Sequence, residues 1–570
     1  MTPDAAPTGY RNRPVILLIC TTTHRNSLCD EIASRYSRDY EVVDVQTGGL
    51  AIRVAKQLVS EGKQIALVLA EARLEDWNGA ELLNKMRRIV PTARRIALIP
   101  PGKYTDHLDE LRAGLAAGML DTFLGIPRGA RDEEFHTAIV EFLSDWGWTV
   151  AAPEVVNFRI VADAVTHEVG AIRDYLDRMG MTSKIYPSDS DLGKQVLATV
   201  GDPVALPVVV RDGQEPMIQP SFAEVAASLF GTPDSIPEDS IADVVVVGAG
   251  PAGLAAAVYG ASEGLNTVVV DSGAVGGQAG TSSMIRNYLG FPRGISGMRL
   301  AQRARIQASR FGAQFFTGTP VSGIDVGDHH HHVRVGPSRV CARTVVIATG
   351  VTYRRFGVES VEELVGNGVY YGAATSAARE MTGHDVYVVG GGNSAGQAAV
   401  HLSRFARSVT ILIRRPELRE TMSEYLIREI DASMRIAVRG CIEVVDGGGD
   451  EHLEWLALRD SNTGEIERVD AGGLFLLIGA EPHCDWIPDD VVRDDRSFVL
   501  TGRKVPKDRW TNGAPPAPLE TTVPGIFAVG DVRHGSMKRV ASASGEGASA
   551  IPLVHDRLQE LRLADLPASH

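Results

Sequence analysis

Two stretches of the sequence share a pattern that strongly limits the possible folds: an apolar run, a glycine-rich turn, an alanine-rich segment and a second apolar run. The first is ADVVVVGAGPAGLAAAVYGASEGLNTVVVDS, residues 242–272. In a strand–turn–helix–strand unit the first glycine permits the turn, the second lets a pyrophosphate reach the helix N-terminus, and the third lets helix and strand pack. An acidic residue at the end of the second strand accepts a hydrogen bond from a ribose 2′-hydroxyl. The predicted contacts of a dinucleotide are Gly248, Gly250, Pro251, Ala252, Gly253 and Asp271.

The second stretch, DVYVVGGGNSAGQAAVHLSRFARSVTILIRRPELR at residues 385–419, repeats the pattern but ends differently. Arginines stand where a carboxylate would accept from a free ribose hydroxyl, and forked guanidinium groups suit a 2′-phosphate. Solvent-facing arginines are the alternative, but three within six residues at this place favour binding of NADPH over NADH. The predicted contacts are Gly390, Gly391, Gly392, Asn393, Ser394, Ala395, Arg414, Arg415 and Arg419.

A chain with two such units, one ending in an acid and the other in arginines, is expected to bind FAD in the first and NADPH in the second. These cofactors bring the redox chemistry, while the protein supplies binding, alignment and the electrostatic setting. The pattern therefore predicts an NADPH-dependent flavoprotein oxidoreductase, and hydride transfer to the flavin needs no catalytic side chain.

Residues 14–147 alternate short apolar runs with helix-like segments, which predicts a parallel sheet covered on both faces. The order of these runs resembles a response-regulator receiver domain. That family holds Mg²⁺ with acidic residues after the first strand and accepts phosphate on an aspartate after the third, whereas this chain has Cys-Thr-Thr at 20–22 and Glu71 at these places. Phosphorylation is therefore not expected. Glu71 is expected either to imitate a permanently phosphorylated acceptor or simply to be solvated.

Residues 155–231 resemble a thioredoxin or glutaredoxin-like fold in the order of their predicted strands and helices. Leu206, Pro207 and Val208 stand where that family places a cis-proline beside its active loop. The loop that would carry a cysteine is ADAVTHEVG, so a packing or docking module is expected rather than a disulfide enzyme. The following segment, GTPDSIPEDS, is rich in Pro, Asp and Ser and predicts a linker.

A series of motifs runs through residues 241–560: GAGPAG, GGQ, RNYLGFP, ATG, GGGNSAG, RRPELR and VPGIFAVGDVRHGSMKRVASASGEG. Together they resemble bacterial thioredoxin reductase. In that family the NADPH domain is inserted within the FAD domain, the enzymes are homodimers, and the NADPH domain swings to present either nicotinamide or its own disulfide to the flavin. The further FAD contacts implied by the resemblance are Gly276, Gly277, Gln278, Asn287, Gly530, Asp531, Lys538, Arg539, Val540 and Ala541.

The order of these parts also resembles proteins described as fused response regulator and thioredoxin-disulfide reductase. The predicted fold class is α/β, with a degenerate receiver-like (flavodoxin-like) domain, a thioredoxin/glutaredoxin-like domain, and two Rossmann-type domains arranged as in thioredoxin reductase. The predicted boundaries are 1–150 (receiver-like), 151–232 (thioredoxin-like), 233–241 (linker), 242–352 and 478–570 (FAD domain), and 353–477 (NADPH domain).

The segment GVYYGAATSA at 368–377 occupies the place where thioredoxin reductases carry a C-x-x-C. Gly372 and Thr375 stand at the two thiol positions, and neither a glycine nor an unactivated hydroxyl can perform thiol–disulfide exchange. No catalytic residue is therefore predicted, and electrons are expected to leave the flavin for an external acceptor, which is a small molecule or a protein. A non-catalytic sensor of FAD and NADPH, or disulfide reduction through another thiol such as Cys484, are the alternatives.

Two further features concern possible metal sites. The five cysteines form no C-x-x-C, which predicts isolated buried thiols and neither a disulfide framework nor a zinc cluster. Imidazole is a common metal ligand, but consecutive residues of a strand point to opposite faces. The run from His329 to His332 is therefore expected to form a solvent-exposed hairpin, and no metal is assigned to it.

Charge and hydropathy bear on the partners. A net charge of −14 argues against nucleic acid or an anionic membrane as partner. The longest apolar runs are too short to span a bilayer, and residues 1–14 lack the features of a signal peptide. We therefore expect a soluble cytoplasmic protein, and a homodimer on the strength of the resemblance.

Overall fold

The computed structural model describes residues 13–102, 106–129, 132–150, 156–201, 205–211, 213–237, 240–282, 284–291, 294–372, 377–450, 452–511 and 513–564. The chain divides into two compact units. The first unit contains Met1–Val155, Ala377–Glu443 and Arg459–Gly473, and the second contains Val156–Ser376, Val444–Leu458 and Leu474–His570. No helix in the described part of the chain is both long and apolar enough to cross a membrane.

The N-terminal part of the first unit alternates strands and helices, as the sequence predicts. Its elements are β1 (Val15–Ile19), α1 (Thr22–Tyr36), β2 (Glu41–Val45), α2 (Gly48–Ser60), β3 (Ile65–Glu71), α3 (Gly79–Ile89), β4 (Arg94–Ile99), α4 (Leu108–Ala116), β5 (Thr122–Gly125) and α5 (Glu133–Thr149). The parallel strands follow the order β2-β1-β3-β4-β5, a doubly wound order of the flavodoxin type. Apolar clusters cover both faces, which is why β1 and β3 are buried throughout.

Glu71, the last residue of β3, is not solvated. Its side chain is only 2% exposed, and its carboxylate accepts from the backbone N–H of Thr21 at 2.9 Å and from the Thr21 hydroxyl at 3.0 Å. His24 Nδ1 lies 3.2 Å from the same oxygen. The expectation of a solvated carboxylate is wrong, because the loop after β1 supplies hydrogen-bond donors that replace water.

The second unit begins with a small mixed sheet. Its elements are β6 (Phe158–Val161), α6 (His167–Arg178), β7 (Ser183–Tyr186), α7 (Asp191–Ala198), β8 (Val208–Arg211), β9 (Met217–Ile218) and α8 (Phe222–Phe230). The order is β7-β6-β8-β9, with β8 antiparallel to β6, and the Leu206–Pro207 peptide bond before β8 is cis, as predicted. The thioredoxin-like identity of this sheet stays a prediction.

The large sheet of the second unit carries the first glycine-rich turn. Its elements are β10 (Ile241–Val247), α9 (Pro251–Ser262), β11 (Thr267–Asp271), α10 (Gly277–Gly280), α11 (Gly297–Arg310), β12 (Gln314–Thr317), β13 (Val321–Asp325), β14 (His331–Val335), β15 (Ser338–Ile347), β16 (Val351–Tyr353) and α12 (Glu359–Glu362). The strands follow the order β12-β11-β10-β15-β14-β13. One apolar cluster joins this sheet to the small mixed sheet, with Phe158 and Ile172 on one side and Val244 and Val346 on the other.

The remaining elements are distributed over both units. They are β17 (Val369–Tyr371), β18 (Asp385–Val389), α13 (Asn393–Leu402), β19 (Ser408–Ile413), α14 (Glu424–Asp431), β20 (Ile436–Gly440), β21 (Ile442–Gly448), β22 (Trp455–Asp460), β23 (Ile466–Asp470), β24 (Gly473–Leu476), β25 (Ala480–Pro482), β26 (Ile526–Ala528) and α15 (Val540–Ala564). In the first unit β18, β19 and β20 are parallel. In the second unit β26 pairs with β15, and α15 packs on α9.

Most described residues of the predicted linker are exposed, but Pro233 is buried and the Asp234 carboxylate accepts a hydrogen bond from the Ser338 hydroxyl of β15. In the histidine run, His331 is only 2% exposed. The prediction of a solvent-exposed hairpin is wrong for this residue, because β14 turns His331, Val333 and Val335 toward the core of the second unit.

Candidate functional site

The first glycine-rich turn leaves no room for side chains at two positions. A Cβ on Gly248 would lie 2.4 Å from the Ala348 carbonyl oxygen, and the φ of Gly248 is +107°. A Cβ on Gly253 would lie 1.8 Å from the Gly248 carbonyl oxygen. Gly250 caps the N-terminus of α9, where Pro251 is the first helical residue. The turn therefore exposes backbone N–H groups at a positive helix end, as a pyrophosphate requires.

A second glycine pair closes over this turn. Gly276 and Gly277 both have positive φ, at +108° and +52°. A Cβ on Gly277 would lie 3.1 Å from the Gly250 Cα, and the Gly276 N–H donates to the Ala249 carbonyl at 2.8 Å. The two loops thus form one cradle of bare backbone. In the sequence, 25 residues lie between Gly250 and Gly276, and nothing in it shows that the two loops meet.

Two buried polar atoms beside this cradle have no hydrogen-bond partner among the described residues. The Gln278 amide nitrogen donates to the Val351 carbonyl at 3.4 Å, but its Oε1 atom is buried and has no hydrogen-bond partner among the described residues. The Thr349 hydroxyl, in the ATG motif, is also buried and has no hydrogen-bond partner among the described residues. Because an unsatisfied buried polar group is costly, these atoms are expected to meet a polar ligand.

Asp271 ends β11 at the edge of the cradle, as predicted. Its carboxylate accepts from the N–H of Ala249 at 2.6 Å and of Gly273 at 2.7 Å, so it also holds the turn together. Burial raises the pKa of Asp271, and these hydrogen bonds and the charge of Arg178 oppose the shift. Each carboxylate oxygen retains a lone pair that can accept from a ribose hydroxyl.

The C-terminal motif contributes Gly530, whose Cβ would lie 2.8 Å from the Ala252 Cβ and whose N–H donates to Glu546. Asp531 is half-buried, and burial raises its pKa while the charge of Lys538 lowers it. The Lys538 ammonium lies 4.7 Å from the ring centre of Phe498. Val540 is the first residue of α15. The other predicted contacts in this group are exposed, and no hydrogen bond between described residues joins them to the cradle: Asn287, Arg539 and Ala541.

The residues present fit FAD. Glycines that cannot carry a Cβ line the path of a pyrophosphate, an acid stands at the end of β11, and unpartnered amide and hydroxyl atoms lie beside the turn. These three features match the three polar parts of a dinucleotide: the pyrophosphate, the ribose and a polar ring system.

Arg178 is a cradle residue that the sequence gave no reason to single out. It ends α6, in the small mixed sheet domain, yet its guanidinium donates to the carbonyls of Ala274 at 3.2 Å and Gly277 at 3.1 Å. The Gln302 amide in turn donates to the Arg178 carbonyl at 3.2 Å. The domain that precedes the flavin cradle therefore anchors the loop that closes it.

Replacing Arg178 with alanine is expected to weaken FAD binding by about 10–100-fold, because two charge-assisted hydrogen bonds that order the loop are lost. The dissociation constant of FAD, measured by fluorescence on deflavinated protein, tests this. Lys194, exposed on α7 of the same domain, provides the matched control K194A, for which no change is expected. Wild-type affinity in R178A would show that the loop orders itself.

The second glycine-rich turn lies in the first unit. Gly390 has a φ of +140°, Gly392 caps α13, and Ala395 is buried, so the three fingerprint positions form a turn at the start of a helix. The Asn393 side chain donates to the Ser423 hydroxyl and accepts from the Ser423 N–H, while the Thr421 hydroxyl donates to the Gly391 carbonyl. Ser394 is exposed at the helix start. These contacts fix the turn against the loop that follows β19.

The three predicted arginines differ in what they contact. All are exposed after β19, but Arg415 is ion-paired with Glu420. No ion pair engages Arg414 or Arg419 within the described ranges. These two are therefore the better candidates for a 2′-phosphate, since Arg415 would have to exchange one carboxylate for another anion.

The predicted site of the missing disulfide is only partly described. Gly372 follows β17, is buried, donates its N–H to the Leu476 carbonyl at 3.0 Å and has a φ of +80°. An L-cysteine would be strained in this conformation. Thr375 lies outside the described residues.

The cysteines are all described, and none is in a disulfide. Cys484 is buried, which raises its pKa to about 11 and keeps it a poor nucleophile. Cys20, after β1, and Cys484 are buried, as expected, whereas Cys29, Cys341 and Cys441 are only half-buried. Burial raises the pKa of both Cys20 and Cys29.

Comparisons with known proteins show which family the chain belongs to. The family described as pyridine nucleotide-disulphide oxidoreductase matches residues 242–547. The chain is similar to thioredoxin reductase of Bacillus subtilis, with 33% identity over 329 residues, 57% of this chain and 97% of that protein. The relative from Mycolicibacterium smegmatis is 33% identical over 320 residues, 55% and 94%. Among solved structures, thioredoxin reductase of Lactococcus lactis has a TM-score of 0.51 at 28% identity, covering 56% of this chain and 99% of its own.

Proposed function

The chain belongs to the pyridine nucleotide-disulphide oxidoreductases, in the branch similar to thioredoxin reductase, and from this premise we propose that it oxidises NADPH and reduces an external acceptor without an internal disulfide. The observation that carries the proposal is the segment after β17, where the buried Gly372 holds a left-handed backbone conformation in place of a thiol. FAD, when bound, supplies the two-electron chemistry that links the nicotinamide to the acceptor.

In this proposal, the residues of the chain bind and orient FAD and NADPH. The turn at 248–253 and the glycine pair at 276–277 would hold the FAD pyrophosphate, with Asp271 at the ribose. Gln278 and Thr349 would direct their unpartnered atoms at polar groups of the same ligand. Gly390–Ala395 and the exposed arginines after β19 would hold NADPH. The sequence at 372–377 offers no thiol, so the acceptor would take its electrons without a protein disulfide between.

The proposal predicts turnover that does not depend on thiols. Purified protein is expected to be yellow, to be bleached by NADPH, and to consume NADPH steadily with at least one acceptor from a panel of quinones, oxygen, small electron carriers and thioredoxin. Cys484 is the thiol that would have to substitute for the missing pair, so C484S is expected to retain full turnover. A trapped covalent adduct between this chain and thioredoxin, absent in C484S, would show that the chain is a disulfide reductase instead.

A second candidate function is a sensor that reports FAD and NADPH occupancy to a partner. It is favoured by contacts inside each unit: Arg178 of α6 holds the flavin loop, and Arg379, before β18, donates to the Trp148 carbonyl of the N-terminal sheet domain. The flavin cradle and the segment that leads into β18 are thus each in contact with an accessory domain. The same acceptor panel distinguishes the two functions, because a sensor is expected to show reduction of the flavin followed only by slow reoxidation in air.

We also propose a homodimer. A groove of about 640 Å³ runs between α9, α11 and α15 in the second unit. Its lining includes the exposed apolar side chains of Tyr259, Leu289 and Phe311. Exposed apolar side chains in such a concentration are typical of a subunit interface. The mass of the flavin-loaded protein in solution, measured by light scattering, tests the proposal.

A further inference from the structure

The hairpin formed by β14 and β15 brings three metal-binding side chains together on its outer face. One nitrogen each of His330 and His332 and the Cys341 sulfur all lie within 4.8 Å of one another. The two imidazole ring centres are 5.2 Å apart, with the planes nearly perpendicular. All three side chains are half-buried, so they are partly shielded from water and still accessible to an ion.

The strand register explains why these residues meet. His332 is directly opposite Cys341 in the antiparallel pair, and His330 precedes it by two residues, which places all three on one face. His331 lies on the other face, buried in the core, and accepts from the Gly327 N–H. The run of four histidines therefore offers two ligands at this place, not four, and the third comes from a neighbouring strand.

The charges around the cluster are largely balanced. Three arginines share the outer face with it and are bound to two carboxylates: Arg334 and Arg339 to Asp325, and Arg343 to Asp243. Within the described residues, His330, His332 and Cys341 have no ion pair or hydrogen bond that an incoming metal would need to break.

We propose that His330, His332 and Cys341 form a zinc site with an open fourth position. Two imidazoles and a thiolate are ligands of borderline softness, the set that zinc prefers. Tetrahedral zinc, with Zn–N about 2.0–2.1 Å and Zn–S about 2.3 Å, needs ligand atoms roughly 3.3–3.8 Å apart. The ligand atoms now lie within 4.8 Å of one another, and rotation of these half-buried side chains about χ1 and χ2 shortens the distances to this range without movement of the backbone. The cysteine proton is released to solvent when the metal binds.

The site has a structural consequence for the flavin cradle. Cys341 lies near the start of β15, and the residue after the end of that strand, Ala348, is in contact with the turn at Gly248. A metal that joins the two strands of the hairpin stabilises only the folded state, because the unfolded chain does not bring the three ligands together. Zinc is therefore expected to raise the midpoint of thermal unfolding in a concentration-dependent way.

The test uses the full-length protein, treated with chelator, kept reduced and titrated with Zn²⁺ by isothermal calorimetry. One saturable site is expected, and Co²⁺ in place of Zn²⁺ should give a thiolate-to-metal charge-transfer band in a difference spectrum against metal-free protein. C341S and H332A are each expected to weaken zinc binding by about 100-fold or more, since even outer-shell partners of zinc sites contribute about 10–100-fold. Both variants should unfold at the wild-type temperature when no metal is present.

Matched controls separate this site from the general affinity of a histidine run. H329A removes an exposed histidine next to the cluster, and C441S removes a half-buried thiol elsewhere, so both are expected to bind zinc as the wild type does. Wild-type affinity in C341S, loss of affinity in H329A, or the absence of saturable binding would each overturn the proposal.

Discussion

Replacing Gly253 with alanine is expected to yield a colourless protein that holds no flavin. A Cβ at this position would lie 1.8 Å from the Gly248 carbonyl oxygen, and because that oxygen belongs to the backbone, no side-chain rotation relieves the clash. The turn must open and the N-terminus of α9 must move away from the strand. A cost on the order of 4 kcal/mol is typical of such backbone conflicts and corresponds to roughly a thousandfold loss of FAD affinity.

The measurement is the ratio of flavin to polypeptide absorbance in purified protein, followed by titration with FAD. G170A is the control, because Gly170 lies within α6 and a Cβ there meets nothing within 4 Å. If G253A fails to fold by circular dichroism, G277A tests the same cradle more gently, since its Cβ would lie 3.1 Å from the Gly250 Cα. A yellow G253A protein with wild-type flavin content would refute the assignment of this turn.

The two nucleotide turns could be predicted from the sequence because their determinants are local. Gly253 lies against the Gly248 carbonyl within one strand–turn–helix unit, and Gly248 and Gly390 have positive φ in the turns themselves, so spacing alone reveals them. The parallel order of the N-terminal strands is likewise written in the alternation of apolar runs and helical segments. In these places each residue answers to neighbours close in the chain.

Contacts between distant segments could not be predicted in the same way. Arg178 reaches the carbonyl of Gly277 across 99 residues, and nothing in the helix HEVGAIRDYLDR distinguishes it from any other charged residue of a solvated face. Glu71 was expected either to imitate a phosphorylated acceptor or to be solvated, and the second expectation fails because the loop after β1 covers the carboxylate. For a histidine run, alternation predicts two faces without saying which one is buried, and that depends on the apolar residues that cluster with Val333 and Val335.

Contacts from accessory domains explain why part of the site could not be predicted from the sequence. In a single-domain Rossmann unit, residues of the same domain hydrogen-bond to the glycine-rich turn. Here the closing loop of the flavin cradle accepts two hydrogen bonds from a domain that precedes it in the chain. Such contacts depend on the packing of whole domains, which one apolar cluster achieves between α6 and the large sheet. The affinity for FAD is therefore expected to report on the integrity of the small mixed sheet domain.

Removing both Arg414 and Arg419 is expected to abolish the preference for NADPH over NADH. Each charge-assisted contact to a 2′-phosphate contributes about 1.5–3 kcal/mol, so the double variant R414A/R419A should lower the ratio of kcat/KM for NADPH to that for NADH by about 100-fold or more. The rate with NADH should change little, because its ribose carries no phosphate for these arginines to bind.

Variants of neighbouring arginines sharpen this test. R428A removes an exposed arginine that is paired with Glu424 on α14, and it should leave the ratio unchanged. R415A should have a smaller effect than R414A, since Glu420 already occupies the Arg415 guanidinium and must be displaced before a phosphate binds. The rates are measured under steady-state conditions with one acceptor at fixed concentration and at several ionic strengths, because screening weakens exposed charge contacts. An unchanged ratio in the double variant would mean that these arginines face solvent only, and that discrimination between the two nucleotides arises elsewhere.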